Sequence, residues 1–143
     1  MQRTATAVWN GTLREGKGSI STQSGFLTDT PYSFATRFES AKGTNPEELI
    51  AAAHAGCFTM ALDAQLTTMH FSPEKLRTTA TVTLDKVDNG WAITKVHLDV
   101  AAHLPGISAS DFEAAALGAK ENCPISKLLK AEITMTAHLE QAA

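Results

Sequence analysis

"TNPEELIAAAHAGCFTMAL", residues 44–62, carries the clearest structural signal in the chain. Asn45 is a good helix N-cap, Pro46 suits the first helical position, and Glu48 stands where a capping-box acid reaches back. Glu47 and Glu48 also complement the positive end of the helix dipole. The pattern predicts a long helix from Pro46 to about His70, where "FSPEK" breaks it. No residue between Leu49 and Leu62 carries a formal charge at neutral pH, so the segment is expected to be buried nearly all round. Its many alanines and Gly56 would let a neighbouring element approach closely. Gly56 costs the helix about 1 kcal/mol relative to Ala, which close packing would explain. One of the chain's two cysteines, Cys57, sits in the middle of this run.

On the N-terminal side, short strands are expected between Gly-containing turns near "WNGT", "REGKG" and "QSGF". "PYSFATRFES" alternates, with Tyr32, Phe34, Thr36 and Phe38 on one side. It reads as a strand with Arg37 on the face opposite the aromatics. On the C-terminal side, "ATVTLDKV" and "WAITKVHLDV" flank the turn residues "DNG" and predict a hairpin. "SDFEAAALGAK" predicts a helix, with Ser110 and Glu113 in capping-box spacing. "NCPISKLLKAE" starts another, with Cys123 at the cap and Pro124 at its first position. "ITMTAHLE" alternates and closes the chain with a strand. This order, strands, long helix, hairpin, helices, strand, means an α+β fold with an antiparallel sheet, organised as one domain over residues 1–143.

The chain has 143 residues, 43% hydrophobic and 19% charged, with a net charge of −3. That balance supplies no basic field for nucleic acid and no polybasic handle for an anionic membrane. "MQRTATAVWN" lacks the apolar core of a signal peptide, and the 14 uncharged residues Leu49 to Leu62 fall short of a bilayer span. A soluble, cytoplasmic protein is expected. Two cysteines in that setting argue against a disulfide scaffold but leave room for a transient, catalytic disulfide. Metal binding has little support, because Cys-x-x-Cys and His-Glu-x-x-His are missing and the five histidines are scattered. Gly-x-Ser-x-Gly and the phosphate-binding glycine signatures are missing as well.

Several side chains could do chemistry. Cys57 can be a small core hydrophobe or a functional thiol. Cys123, at a helix N-terminus, faces unpaired N–H groups that favour thiolate, and by that argument it is the more nucleophilic of the two. Arg37 is either a solvated sheet-face arginine or a cation that lowers a thiol pKa. Glu47 is a first-turn acid with an evident structural role. His54, three residues before Cys57, could assist a proton transfer, but the favoured reading is a packed histidine with one satisfied nitrogen.

"YSFATRFESAKGTNPEELIAAAHAGCFTMAL" together with "ENCPISKLLKAEITM" resembles the OsmC/Ohr family of thiol-dependent organic hydroperoxide reductases, most closely its OsmC branch. "REGKGSISTQSG" and "LDKVDNGWAITKV" extend the resemblance over nearly the whole chain. The resemblance implies that Cys57 attacks the peroxide and that Cys123 resolves the product as a disulfide. It implies that Arg37 activates the first thiol and that Glu47 pairs with that arginine. It further implies an organic hydroperoxide as substrate, an external dithiol as reductant, no metal, flavin or haem, and an intertwined homodimer built around long central helices. Glu47 and Cys57 are ten residues apart, about 15 Å along a helix. One guanidinium is not expected to reach both, so a site composed across the two subunits is expected.

Overall fold

The computed structural model describes residues 1–140. The chain divides between Leu49 and Ile50 into two compact units. In the first, β1 (Ala5–Asn10), β2 (Lys17–Thr22) and β3 (Thr30–Tyr32) form an antiparallel sheet in the order β1-β2-β3. The register places Trp9 and Tyr32 on either side of Gly18. Their ring centroids are 5.4 Å apart. A Cβ at position 18 would lie 2.4 Å from the Tyr32 ring and 2.7 Å from the Trp9 ring. Only glycine leaves room for the aromatic pair to close over the central strand.

The expected strand over residues 31–40 is corrected. After Tyr32 the chain turns into a short helix, α1 (Phe34–Phe38). Ser33 Oγ accepts from the Thr36 amide at 3.2 Å, and Thr36 Oγ1 accepts from the Ser33 amide at 2.8 Å. This capping box outweighs the alternation. Phe34 and Phe38 stack at 4.8 Å, the i,i+4 contact of a helix rather than the i,i+2 neighbour of a strand.

The long helix, α2 (Pro46–Thr68), begins as predicted, with Asn45 Oδ1 accepting from the Glu48 amide at 2.8 Å. It ends in a left-handed His70 (φ 64°), with the Phe71 amide closing onto the Leu66 carbonyl at 2.9 Å. That is a Schellman closure with histidine in place of glycine.

The second unit contains the rest of α2, β4 (Lys75–Val87), β5 (Gly90–His103), α3 (Ala109–Asn122), α4 (Pro124–Leu128) and β6 (Glu132–Glu140). The hairpin β4–β5 forms around the expected turn and is longer at both ends. Ser108, not Ser110, caps α3: its Oγ accepts from the Asp111 amide at 3.1 Å. The α+β class holds, but the sheet is mixed, because β6 pairs with β5 in parallel. Both α3 and α4 lie between these strands, and a crossover of that length permits parallel entry.

Along β5 the side chains alternate strictly. Val96, Leu98, Val100 and Ala102 are fully buried, while Lys95 and Asp99 are exposed. They pack with Phe58, Leu62 and Leu66 of α2 and with Phe112, Ala115, Ala116 and Ala119 of α3. A fully buried leucine side chain of this kind contributes about 1.5–3 kcal/mol.

Burial of α2 on all sides is also corrected. His54, Phe58, Leu62 and Leu66 form one buried line, whereas Ala52, Ala53, Gly56 and Met60 are exposed in the single chain. A Cβ on Gly56 would meet nothing within 4 Å. By length and composition alone α2 could cross a bilayer, yet its buried line belongs to the core of this unit.

Candidate active site

The Cys-Pro step shapes the first part of the site. Cys123 ends α3, its amide donating to the Ala119 carbonyl at 2.9 Å, and it also stands at the N-cap of α4. Pro124 restricts the residue before it to extended backbone, and Cys123 has φ −55° and ψ 124°. The result is a corner between two helices. Cys123 is fully buried, and its side chain makes no capping hydrogen bond.

α2 brings Cys57 to this corner. Both thiols are free, and they share a hydrogen bond. Burial pushes the Cys57 pKa above its ordinary 9.0, and the hydrogen bond with Cys123 pushes it the same way. The Ile125 amide, which donates to the Cys57 sulfur, acts in the opposite direction. The N-terminal amide of α4 therefore serves Cys57 rather than the cysteine at the helix cap. This is why ranking the thiols by helix position favoured the wrong sulfur as the partner of those N–H groups.

His54 and Ser126 meet beside the thiols. His54 Nε2 lies 2.8 Å from Ser126 Oγ, His54 is fully buried, and its Nδ1 has no partner among the described residues. Burial lowers the His54 pKa and keeps the ring neutral. A packed histidine with one satisfied nitrogen is what the sequence suggested.

Arg37 and Glu47 form a separate cluster within the first unit. Arg37 Nη2 donates to Glu47 Oε1 at 2.7 Å, and Nε donates to both carboxylate oxygens at 3.2 Å. This forked contact fixes the plane of the guanidinium. Arg37 also lies over the Phe38 ring at 5.3 Å. It lines a cavity of about 260 Å³ whose other walls include Trp9, Leu13, Tyr32, Phe34 and Phe38. A cation held on the wall of an apolar cavity suits a ligand with an apolar body and one polar end.

The four expected residues thus fall into two clusters, Arg37 with Glu47 and Cys57 with Cys123. The aromatic cavity, the Ile125 amide and Ser126 were not among the features expected from the sequence. The Ser33-x-x-Thr36 spacing would have placed Phe34, Arg37 and Phe38 on a helix. No group of three or more His, Cys, Asp or Glu residues suited to a metal occurs among the described residues.

Comparison with known proteins identifies the family. The family profile described as OsmC-like protein matches residues 39–138. Peroxiredoxin OsmC of Escherichia coli (strain K12) is 54% identical over 134 residues, 94% of each chain. The organic hydroperoxide resistance protein OhrA of Bacillus subtilis is 35% identical over 102 residues, 70% of each chain. The crystal structure of the organic hydroperoxide resistance protein OhrB of Bacillus subtilis superposes with a TM-score of 0.69 at 25% identity, covering 96% of this chain and 98% of that one. With a matching profile over most of its length and a close relative along nearly all of it, this chain belongs to the OsmC-like protein family.

Proposed function

We propose that this protein is a cysteine-based peroxidase that reduces organic hydroperoxides to alcohols. The observation that carries the reading is the hydrogen-bonded pair of free thiols, Cys57 and Cys123. The names of the relatives point to the same chemistry. The Cys57 thiolate attacks the outer oxygen of R–O–O–H. The S–O bond forms as the O–O bond breaks, and the departing alkoxide takes a proton to become the alcohol. Cys57 is left as a sulfenic acid. Cys123 then attacks that sulfur, giving the Cys57–Cys123 disulfide and water, with the thiol proton leaving on the hydroxyl. An external dithiol reduces the disulfide by exchange and is itself oxidised to a disulfide.

The first step needs a thiolate, and the surroundings of Cys57 raise its pKa. Its own burial and Cys123 are responsible, and the Ile125 amide offsets them only in part. A cation must therefore be brought to it, and we assign that role to Arg37, oriented by Glu47. Because Glu47 stands about 15 Å before Cys57 along α2, the arginine is assigned to the second subunit of a homodimer. The exposed small-residue stripe of α2 favours such a partner, since close helix approach needs residues of that size. In this reading residues 1–143 work as one domain in the cytoplasm, without metal or organic cofactor.

One stoichiometric organic hydroperoxide, added to reduced protein, tests the activity. Loss of two thiols with dithiol-dependent peroxide consumption is expected. Stable thiols without turnover would instead mark a dimeric binding or stress protein. Mixed dimers of a Glu47→Ala chain and a Cys57→Ser chain test the composite site. Arg37 and Glu47 of the Cys57→Ser chain should then serve the Cys57 of the Glu47→Ala chain, giving one wholly intact site per heterodimer and about half the wild-type activity. No activity above that of the parents would assign Glu47 to the cysteine of its own chain.

A further inference from the structure

We propose that His54 and Ser126 form a clamp that holds the Cys123 corner against Cys57 during disulfide formation, which makes His54 a positioning residue for the resolving step. The inference rests on the peroxidase reading above.

Both pairs bridge the same two stretches of chain. Cys57 and His54 are three residues apart on α2, hence on one face, and Cys123 and Ser126 are three residues apart across the start of α4. The thiols share one hydrogen bond, and His54 Nε2 and Ser126 Oγ share another at 2.8 Å. Ser126 directly follows Ile125, whose amide donates to the Cys57 sulfur. The segment 123–126 is therefore tied to α2 at Cys123, Ile125 and Ser126.

The reaction removes one of these ties. Cys57 gives up its S–H when the thiolate forms and does not regain it as a sulfenic acid, so the hydrogen bond it donated to Cys123 is lost. Cys123 must still reach the same sulfur. A five-residue helix does not hold its own shape in water, so α4 depends on tertiary anchors. Ile125 and Leu129 pack against the core, but apolar contact fixes no direction. The His54–Ser126 bond is directional, fully enclosed and chemically untouched by peroxide. It spans 72 residues of chain, so it fixes one element against the other rather than shaping a local turn.

The unpartnered Nδ1 indicates the tautomer. A buried N–H without an acceptor costs more than a bare lone pair, so the proton sits on Nε2 and is donated to Ser126 Oγ. A protonated ring would place a second donor in the core with no partner, and the lowered pKa avoids this.

The test separates the two thiol steps. Reduced protein is mixed with one equivalent of tert-butyl hydroperoxide and quenched over time, and the sulfenic acid and disulfide are counted by mass spectrometry. In Ser126→Ala, disulfide formation should slow about tenfold more than Cys57 oxidation, and Cys57 sulfinic acid should appear at a lower peroxide excess. Ser126→Thr, which keeps the hydroxyl, and His54→Gln, whose Nε2 can donate to it, should restore the disulfide step. Equal slowing of both steps, or no slowing, in Ser126→Ala overturns the clamp. Loss of no thiols in the wild-type protein overturns the peroxidase reading itself.

Discussion

The two units of this chain solve opposite electrostatic problems. Residues 1–49 keep a full charge on the wall of an apolar cavity, and they do so by giving Arg37 a forked carboxylate partner and an aromatic face. Residues 50–140 bury Cys123 and half-bury Cys57 beside a neutral histidine, and desolvation drives the Cys57 pKa upward. The first unit holds a cation without a nucleophile, and the second holds a nucleophile in an environment that disfavours its reactive form. The ion pair rests on its forked geometry with Arg37 still exposed, whereas desolvation weakens the thiolate. Neither cluster accounts for peroxide chemistry alone, which is why the mixed-dimer experiment bears directly on the mechanism.

Removing the cation should expose this division most strongly. In Arg37→Ala the Cys57 pKa should rise, because the cation that favours its thiolate is gone. The thiolate fraction near neutral pH then falls, and the greater nucleophilicity of the more basic sulfur, with a Brønsted slope of about 0.4–0.5, offsets only about half of that loss on a logarithmic scale, so Cys57 oxidation slows about threefold or more. The rate profile should move to higher pH, as measured by single-turnover oxidation of Cys57. An unmoved profile would detach Arg37 from the thiol.

Gly18→Ala strikes the first unit alone. Its Cβ would collide with Tyr32 and Trp9, and a loss of about 1–3 kcal/mol is expected in denaturant unfolding. If the loss leaves the stoichiometric thiol reaction in place, the two clusters have separable structural supports.

Acid should act on the second unit through His54. Its folded pKa lies below the ordinary 6.5, so the unfolded chain binds the proton first. The stability it contributes is complete above about pH 6.5 and is lost as pH falls toward the folded pKa. Unfolding titrations should show this slope in the wild-type protein and a shallower one in His54→Gln. An identical slope in both would mean that His54 does not couple to folding.

The smallest effect is expected where the units join along α2. Asn45→Ala removes the N-cap and should cost about 1 kcal/mol in thermal unfolding, since the amide of Glu48 loses its acceptor.

Local signals were legible where one interaction dominated. Asn45-Pro46 marked the start of α2 because the cap and the fixed proline φ agree. Cys123-Pro124 marked the start of α4 through the proline φ alone, and the β4–β5 hairpin followed from alternation around residues 88–90. Arg37 was placed on a strand because alternation and helical capping competed over residues 31–40, and the capping bonds prevailed. The parallel entry of β6 had no local signal, since pairing direction is a property of the crossover and not of either strand.

The sequence by itself determined the long helix, the α+β class and, through its resemblance to OsmC/Ohr proteins, the four residues on which chemistry was expected. Propensity, capping and proline geometry act over a few residues, so they can be read from neighbours in the chain. Only the tertiary structure decided that the α4 amide points at Cys57, that His54 is held by Ser126, and that Arg37 shares a cavity with aromatic rings. Those are contacts between residues far apart in sequence. Their energies come from burial and direction, and neither exists until the chain has folded.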